Sequence, residues 1–393
     1  MSKKENQLPK GWEYKKLKDI CEKITDGTHQ TPKYFESGFI FLSSKNVTTG
    51  KINWEDVKYI DEVQHCEMQK RVSPKKGDIL LAKNGTTGVA ALVDKDTVFD
   101  IYVSLALLRS KGEVLPEFLL YFINSPVAKS QFNKRLKGIG VPNLHLEEIR
   151  EVDIPYPNSH PEQQRIVSIL DEACAAIAKA KANAEQNLKN AKELFESYLQ
   201  GVFEEKGEGW EEKKLGEVVI YDKKQSLHKG LPYVGLEHIE SNSGRFLGCL
   251  DAQVVKSSTF YFDEQHVLYG RLRPYLNKVL LPNFRGHCST EIFPIKVCKL
   301  LTREFLFYWL ISMTTVNKID ATWTGARMPR ANMNQVLEFD FSFPSVKEQQ
   351  TIVHQLDTLR AETQKLEAIY KKKLTDLEEL KKSVLQKAFG GEL

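Results

Sequence analysis

The sequence lacks the features that mark secreted, membrane-spanning and zinc-binding proteins. Its 393 residues include six cysteines but no Cys-x-x-Cys pair, a pattern typical of free thiols in a reducing compartment. No stretch approaches the roughly 18 consecutive apolar residues of a transmembrane helix, and Met1–Gly11 has no apolar centre like that of a signal peptide. His65-Cys66 and His287-Cys288 resemble metal-ligand fragments, but neither has a second pair at zinc spacing. We therefore expect a cytoplasmic protein with no metal site.

Motifs for catalysis are missing as well. The chain has no Gly-x-x-x-x-Gly-Lys-Ser/Thr phosphate loop, no nucleophile elbow and no paired-histidine metal signature. The loop Asn84–Gly88 is rich in glycine but lacks the lysine and the following helix of a phosphate cradle. The Asn/Asp-Pro-Pro-aromatic motif of amino-group DNA methyltransferases is also absent. We therefore expect a non-catalytic chain that holds no cofactor itself.

Charge is nearly balanced along the chain. The formal net charge is only +4, with 41% hydrophobic and 27% charged residues, a composition typical of soluble globular proteins. A chain of this length has room for two or three domains, each with its own core. Any contact with nucleic acid must therefore come from local patches or be shared with partner subunits.

The most informative feature is a segment that occurs twice. Pro161–Val167 returns as Lys347–Val353, and the same offset links Tyr198–Phe203 to Val384–Phe389. Each copy predicts a helix of about 40 residues without proline after its first turn, roughly 60 Å long at 1.5 Å per residue. A helix of that length needs a partner along its length.

Apolar residues recur along each copy in alternating steps of four and three, which is typical of a coiled coil. The predicted seam contains Ile166, Leu170, Ile177, Asn187 and Leu194 in the first copy, and Ile352, Leu356, Leu366, Lys373 and Leu380 in the second. Asn187 and Lys373 occupy the same seam position, where a buried polar residue commonly fixes the register. Two separate surface helices, each with a polar break, are the alternative.

These segments divide the chain into four parts. We predict globular units at residues 1–158 and 206–344, and long helices at 159–205 and 345–393. The globular units repeat faintly, because Gly11-Trp12 returns as Gly209-Trp210 near their starts while their interiors diverge.

Each globular unit mixes short β-type runs with helical spacing. The predicted strands are Phe39–Leu42, Asp78–Ala82 and Val103–Leu108. Pro116–Ile123 predicts a helix that starts with proline, and Arg303–Leu310 is its counterpart. The simplest reading is an α+β fold in each unit.

Basic, polar and glycine-bearing loops supply the candidate binding residues. Those of the first unit are Thr28, His29, Lys33, Lys83, Asn84, Thr86, Thr87, Lys137 and Asn143; those of the second are Lys224, Arg271, Arg273, Tyr275, Arg327 and Arg330. Lys and Arg heads and free backbone amides hold phosphates, while Asn, Arg and Thr reach base edges. Arg271 and Arg273 could each bind a guanine through two hydrogen bonds. For any single loop, an ordinary solvated turn is the alternative.

Several short pieces support a family resemblance. They are Gly11-Trp12, Asp26–His29, Lys83–Gly88, Ile154–Pro157 and Glu162-Gln163 in the first half, and Gly209-Trp210, Arg271–Pro274, Gly325, Phe341–Pro344 and Glu348-Gln349 in the second. With the doubled long helix, they resemble the specificity subunit of type I restriction–modification systems. The second half has Asp222–Gln225 where the first has Asp26–His29, so base contacts cannot be copied between units.

The resemblance implies an α+β fold of two pseudo-repeated target recognition domains, separated and joined by two long antiparallel coiled-coil helices. It implies that each domain reads one half of a split site in double-stranded DNA and that the helices set the gap. It also implies two modification subunits that methylate adenine N6 with S-adenosylmethionine, and restriction subunits, where present, that use ATP and Mg²⁺. A coiled-coil adaptor that binds proteins and a stand-alone DNA-modifying enzyme are the competing hypotheses.

Overall fold

The computed structural model describes residues 8–136, 143–226, 230–253, 255–325 and 327–393. The chain forms two compact units, one made of Met1–Asn183 with Lys373–Leu393 and the other of Ala184–Lys372. Each unit therefore combines one globular region with part of both long helices, rather than ending where a globular region ends.

The first globular region is a mixture of short strands and helices. Its strands are β1 (Trp12–Lys16), β2 (Cys21–Asp26), β3 (Phe39–Leu42), β4 (Lys58–Ile60), β5 (Ile79–Ala82), β6 (Ala90–Leu92), β7 (Phe99–Ile101), β8 (Leu105–Ser110) and β9 (Asp153–Pro157). Its helices are α1 (Leu17–Ile20), α2 (Glu62–Arg71), α3 (Pro116–Asn124), α4 (Pro126–Arg135) and α5 (Leu146–Arg150), followed by the long helix α6 (His160–Glu204).

The second globular region repeats this mixture. Its strands are β10 (Glu211–Lys214), β11 (Val219–Tyr221), β12 (Gln225–Ser226), β13 (Tyr233–Val234), β14 (Thr259–Phe262), β15 (His266–Gly270), β16 (Val279–Leu280), β17 (Gly286–Cys288), β18 (Ile292–Val297) and β19 (Asp340–Phe343). Its helices are α7 (Leu215–Val218), α8 (Arg303–Ile311), α9 (Met313–Asp320) and α10 (Met333–Leu337), followed by the long helix α11 (Val346–Gly390).

The two units share a frame and differ inside it. The sheet order β2-β8-β5-β6 returns as β11-β18-β15-β16, and the antiparallel pair β1–β9 returns as β10–β19. In the second sheet of each unit, β3 pairs in parallel with β7, and β13 likewise with β17. However, β4 adds to β3 in the first unit, whereas β14 adds to β17 in the second. The sequence pattern of similar ends and divergent interiors is therefore present in the topology.

Local structure agrees with the sequence patterns. The predicted strands correspond to β3, β5 and β8, although β8 begins two residues later than predicted, and the two predicted helices correspond to α3 and α8. Proline stands in the first turn of α3, where no amide hydrogen bond is lost. The Thr302 side chain caps α8 by accepting a hydrogen bond from the Phe305 amide. All four residues of β5 are buried, as expected for a central strand of continuous apolar sequence.

The long helices α6 and α11 run antiparallel. In the first unit, Ile166 and Leu170 near the start of α6 share a core with Leu385 near the end of α11. In the second unit, Leu199 near the end of α6 shares a core with Leu356 near the start of α11. The predicted seam is therefore correct at Ile166, Leu170 and Leu356, and Ile177 and Ile352 are half-buried.

At five other predicted seam positions the side chain is exposed, and at three of them an apolar residue one position further along is half-buried instead. The exposed members are Asn187, Leu194, Leu366, Lys373 and Leu380. Leu188, Phe195 and Leu374, each one residue further along, are half-buried instead. A strict heptad drifts about 20° per repeat from an ideal α-helix, whereas an 11-residue spacing follows the helix more closely. Because Asn187 and Lys373 face outward, they are not the buried polar pair that was expected to fix the register.

A buried glutamine ties the start of α6 to the first globular region. The Gln163 side chain is fully buried, and its Oε1 accepts a hydrogen bond from the Leu115 amide at 2.8 Å. Its Nε2 donates to the carbonyls of Glu113 and Pro157, each at 2.9 Å. The amide thus satisfies three main-chain groups where a strand end, a loop and a helix meet.

The second unit repeats this contact at the start of α11. The Gln349 side chain is also fully buried, and its Oε1 accepts from the Thr302 amide at 2.8 Å. Its Nε2 donates to the carbonyls of Leu300 and Pro344, each at 2.8 Å. We call each of these arrangements an amide clamp. The duplicated glutamine of the Glu-Gln pair therefore has a structural explanation.

A second contact anchors each long helix. In the first unit, the Tyr121 hydroxyl donates to Asp171 Oδ1 at 2.5 Å. In the second unit, the Tyr308 hydroxyl donates to Asp357 Oδ1. Burial raises the pKa of both tyrosines, and their carboxylate partners add to the shift. Each hydroxyl therefore stays protonated and keeps donating.

Candidate nucleic-acid interface

In the first unit, the segment that follows β2 is held tightly against β7. The Thr28 amide donates to the Ile101 carbonyl at 3.0 Å, and the Val103 amide donates to the Thr28 carbonyl at 2.9 Å. A Cβ at Gly27 would lie 1.8 Å from the Ile101 oxygen, so only glycine fits there. Thr28 and His29 are therefore presented from a rigid backbone, with the His29 side chain 62% exposed.

The carboxylate of Asp26 is the centre of a charged cluster beside this segment. Lys83 Nζ lies 2.6 Å from Asp26 Oδ2, and Arg71 Nη2 donates to Asp26 Oδ1. Arg71 Nε also donates to the Asp26 carbonyl at 3.1 Å, and His29 Nε2 lies 3.2 Å from Oδ1. Burial by itself raises the pKa of the Asp26 carboxyl, but the hydrogen bonds from Lys83, Arg71 and His29 outweigh it and lower the pKa. Asp26 is therefore ionised at neutral pH.

Lys83 does not lie on the surface as a direct phosphate contact would. Its side chain is only 7% exposed, and its ammonium group is bound to the buried carboxylate. The sequence-based assignment of Lys83 to the contact surface is therefore revised to an internal one. A buried ion pair of this kind is costly to break, because the remaining charge loses its partner.

The other predicted residues of the first unit surround this cluster. The Leu144 amide donates to the Lys83 carbonyl at 3.1 Å, and Asn84 pairs with Asn143 through an isolated bridge. The Oδ1 atoms of both asparagines are buried without a hydrogen-bond partner among the described residues. Thr86 is exposed and Thr87 half-buried, while Lys33 is exposed with its ammonium 5.5 Å from the Phe35 ring centre. Lys137 falls outside the described residues.

The second unit has a comparable cluster around Glu291. Arg271 Nε donates to Glu291 Oε2 at 3.0 Å, and Arg330 Nη2 donates to Oε1 at 3.0 Å. The Arg271 guanidinium lies 5.3 Å from the centre of the Phe293 ring, and Lys223 Nζ lies 4.7 Å from it. Burial works to raise the pKa of Glu291, but the two arginines outweigh it and lower the pKa.

Arg271 and Lys83 occupy equivalent places in the two units. Each follows a buried central strand, β15 or β5. The Arg271 amide donates to the Glu291 carbonyl, and the Arg271 carbonyl accepts from the Ala331 amide. In the same way, the Lys83 amide donates to the Ser104 carbonyl, and the Lys83 carbonyl accepts from the Leu144 amide. Sequence reasoning found these cations but missed the acids, because Asp26 and Glu291 lie far along the chain from their partners. No local motif joins them.

Arg273 is held in a conformation that is rare for arginine. Its φ is +52°, in the left-handed region, and its amide donates to the Pro329 carbonyl at 2.7 Å. That region costs an L-residue about 1–2 kcal/mol, and such strain concentrates at functional sites. The Arg273 side chain is exposed, and Tyr275 is 51% exposed. Trp323 is also 51% exposed, and Thr324, the residue after it, pairs with Arg330, which follows Pro329. Trp323 is not among the binding residues predicted from the sequence.

The remaining predicted residues of the second unit are on the surface. The Lys224 side chain is 78% exposed, with its ammonium 3.6 Å from Asp222, and Arg327 is exposed as well. Across the described ranges, no three His, Cys, Asp or Glu side chains are grouped so that they could hold a metal ion. No helix in the same ranges is long and apolar enough to cross a membrane.

The repeat seen in the fold is also a repeat of one known family. Residues 9–188 and 207–376 each match the type I restriction modification DNA specificity domain. The chain belongs to this family. Each match starts near the first strand of a unit and continues into the long helix that follows, so the family's unit includes part of α6 or α11. As a type I specificity chain, its role is DNA recognition rather than catalysis.

Relatives in this family resemble the chain over most of its length. It is 25% identical to the type I restriction enzyme EcoDI specificity subunit of Escherichia coli, covering 80% of this chain and 78% of that protein. It is 22% identical to the EcoKI specificity subunit of Escherichia coli K12, covering 98% and 90%.

Solved structures support the same fold. A chain from a structure of a type I R-M system aligns with a TM-score of 0.76 at 18% identity, covering 98% of this chain and 100% of that one. The HsdS subunit from Thermoanaerobacter tengcongensis aligns with a TM-score of 0.62 at 19% identity, covering 100% of each chain.

Proposed function

We propose that this chain is the DNA specificity subunit of a type I restriction–modification complex and that each unit reads one half of a bipartite site. The observation that carries the proposal is the repeated frame with divergent contact surfaces. Lys83 and Arg271 follow equivalent strands, yet they bind different acids and stand beside different loops. Two independent readers of two different half-sites need this combination of shared scaffold and distinct surface.

The surface chemistry of each unit suits DNA. One acid with two cations leaves one net positive charge in each cluster, which attracts the phosphate backbone. Asn84 and Thr86 in the first unit, and Arg273 and Tyr275 in the second, add groups that can reach base edges or stack. Affinity and specificity thus come from adjacent groups on the same surface.

The paired helices have two roles in this proposal. They set the spacing between half-sites, and they dock two modification subunits that methylate adenine N6 with S-adenosylmethionine. Restriction subunits, where the system has them, supply ATP- and Mg²⁺-dependent cleavage. Because the substrate of the complex is chromosomal and incoming DNA, we place it in the cytoplasm.

Methylome sequencing tests the proposal directly. Host DNA is compared with and without this gene, in the presence of its modification subunits. Loss of N6-methyladenine at one split, asymmetric motif is the expected result, and it gives both half-sites at once. If no methylated motif changes and the assembled complex shows no DNA binding, the chain is an adaptor for proteins instead.

Single substitutions then test whether the units read independently. Arg271→Ala should relax or abolish recognition of one half-site only, because Arg271 belongs to the second unit. Arg303→Ala is a matched control, since it removes another partly buried arginine, one that pairs with Glu304 instead of Glu291. Equal loss at both half-sites for Arg271→Ala would contradict two independent readers.

Insertions test the role of the helices. One heptad added to both α6 and α11 should change the number of bases between the half-sites while leaving the bases within each half-site the same. An unchanged spacer in an assembled, active complex would rule out the spacing role.

A further inference from the structure

Helix α2 of the first unit is held in place by polar contacts instead of apolar burial. None of its residues is buried. His65 Nδ1 lies 2.6 Å from Asp100 Oδ2, and Gln69 Nε2 donates to Asp100 Oδ1 at 2.8 Å. Asp100 is fully buried, and the His65 ring stacks on Phe39 with 3.8 Å between ring centres. A single internal acid therefore fixes the helix against β3 and β7.

The last residue of α2 is Arg71, and the helix delivers it to Asp26. Arg71 Nε and Nη2 both bond to Asp26, through the main-chain oxygen and the carboxylate. The side chain is nevertheless 48% exposed. Among the described residues, its Nη1 group makes no hydrogen bond, although a guanidinium carries five N–H donors. Arg71 Nη2 also lies 3.3 Å from His29 Nε2, so Nε and Nη2 are both engaged within the cluster and Nη1 is the group left to bind a ligand.

The charges of the cluster make Arg71 its exposed cation. Lys83 is buried and neutralises Asp26 from inside, so the positive charge that reaches solvent belongs to Arg71. In the second unit Glu291 also holds two cations, Arg271 and Arg330. Both units therefore use one acid to hold a cation that follows the central strand and a second cation that arrives from another segment.

We propose that Arg71 is a DNA contact of the first unit and that Asp26 is the residue that positions it. The inference rests on the proposed function and extends it to a residue that no sequence motif marks. The Nη1 group of Arg71 offers N–H donors to an acceptor of DNA, either a phosphate oxygen or the O6/N7 edge of guanine. Because Asp26 already restrains the guanidinium, binding costs it little conformational freedom.

The test uses the full chain assembled with its modification subunits. The variants are Arg71→Ala, Arg71→Lys and, as a matched control, Lys70→Ala. Lys70 is the preceding residue of α2, carries the same charge, is exposed and makes no ion pair among the described residues. Each assembly is assayed for its N6-methyladenine motif and for the salt dependence of binding to a DNA duplex that carries the wild-type motif.

A guanine contact and a phosphate contact give different results. If Arg71 reads guanine, Arg71→Ala relaxes one base position of one half-site, with a loss of discrimination of about 5- to 150-fold. If it holds a phosphate, binding weakens for all sequences and the slope of log K against log salt falls in magnitude by about one. Arg71→Lys keeps the charge, so it should partly restore binding if the contact is a phosphate but should not restore base discrimination if the contact is a guanine. Lys70→Ala should change neither the base discrimination nor the salt slope.

One outcome overturns the inference. If Arg71→Ala matches Lys70→Ala in both DNA readouts and only lowers the unfolding temperature, Arg71 is a structural residue. Failure of the proposed function looks different, because the wild-type assembly itself would then show no split methylated motif. A normal wild-type motif with unchanged Arg71→Ala readouts rejects Arg71 alone.

Discussion

Replacing Gln163 with methionine removes the amide clamp of the first unit while keeping the length of the side chain. Three hydrogen bonds are lost, to the Leu115 amide and to the carbonyls of Glu113 and Pro157. At a net value near 1 kcal/mol each, the expected loss in the free energy of unfolding is about 3 kcal/mol. The partly buried Leu115 amide is the most costly of the three groups to leave unpaired, because an amide has one donor and no second partner to use.

Gln164 provides a matched control for this substitution. It is the adjacent residue of α6, is exposed and allows the same Gln→Met change. Gln164→Met should alter the free energy of unfolding by less than about 0.5 kcal/mol. In the second unit, Gln349→Met and the exposed neighbour Gln350→Met form the same pair, with Thr302 as the amide that loses its acceptor.

Hydrogen exchange gives a local readout in the full chain. Gln163→Met should speed exchange at the Leu115 amide by about a hundredfold, the factor that matches the loss of roughly 3 kcal/mol. The Thr302 amide should stay as protected as in the wild type, and Gln349→Met should reverse the pattern. Unchanged protection of Leu115, or equal destabilisation by Gln163→Met and Gln164→Met, would refute the clamp.

Three further outcomes follow from single contacts. Arg273→Gly and Arg273→Ala should weaken recognition of the same half-site equally. In urea unfolding, however, the glycine variant should be more stable than the alanine variant by about 1 kcal/mol, because only glycine adopts the left-handed φ without strain. Tyr308→Phe should cost roughly 2 kcal/mol in urea unfolding by removing the hydrogen bond to the Asp357 side chain, whereas Tyr198→Phe at a more exposed site should cost under about 0.5 kcal/mol. Because folding lowers the pKa of Asp26, its carboxylate stabilises the fold above the pKa of the unfolded chain, near pH 4, and this stabilisation is lost as the pH falls through the folded pKa. Asp26→Asn should therefore reduce the loss of stability on the acid side of a stability-versus-pH curve.

The apolar repeat of the long helices predicted their extent correctly but their packing seam only in part. The absence of proline and the recurrence of apolar residues were enough to predict α6 and α11, because both are local properties of the backbone. The seam was right near Ile166 and Leu170 and wrong by one residue at Leu194. Small differences between 3.5 and 3.6 residues per turn accumulate with length, and only the packed helices show where the spacing changes.

The candidate interface was also only partly predictable from the sequence. Loops with glycine and basic residues were visible in the sequence, and Arg273 and Tyr275 are exposed where those loops predicted them. The sequence could not show that Lys83 is turned inward onto Asp26, or that α2 carries Arg71 to the same carboxylate. Each of those pairs joins residues that are distant along the chain.

What the sequence determined by itself was the duplication, the paired helices and two globular units with unlike interiors, since repeats and hydrophobic periods can be read from the order of neighbouring residues. The tertiary structure decided which cations are buried and which are presented, because that depends on where acids from other strands arrive. These acids are Asp26 in the first unit, which binds Lys83, and Glu291 in the second, which binds Arg271. A carboxylate in a partly buried site needs its cations nearby, and folding alone brings them together.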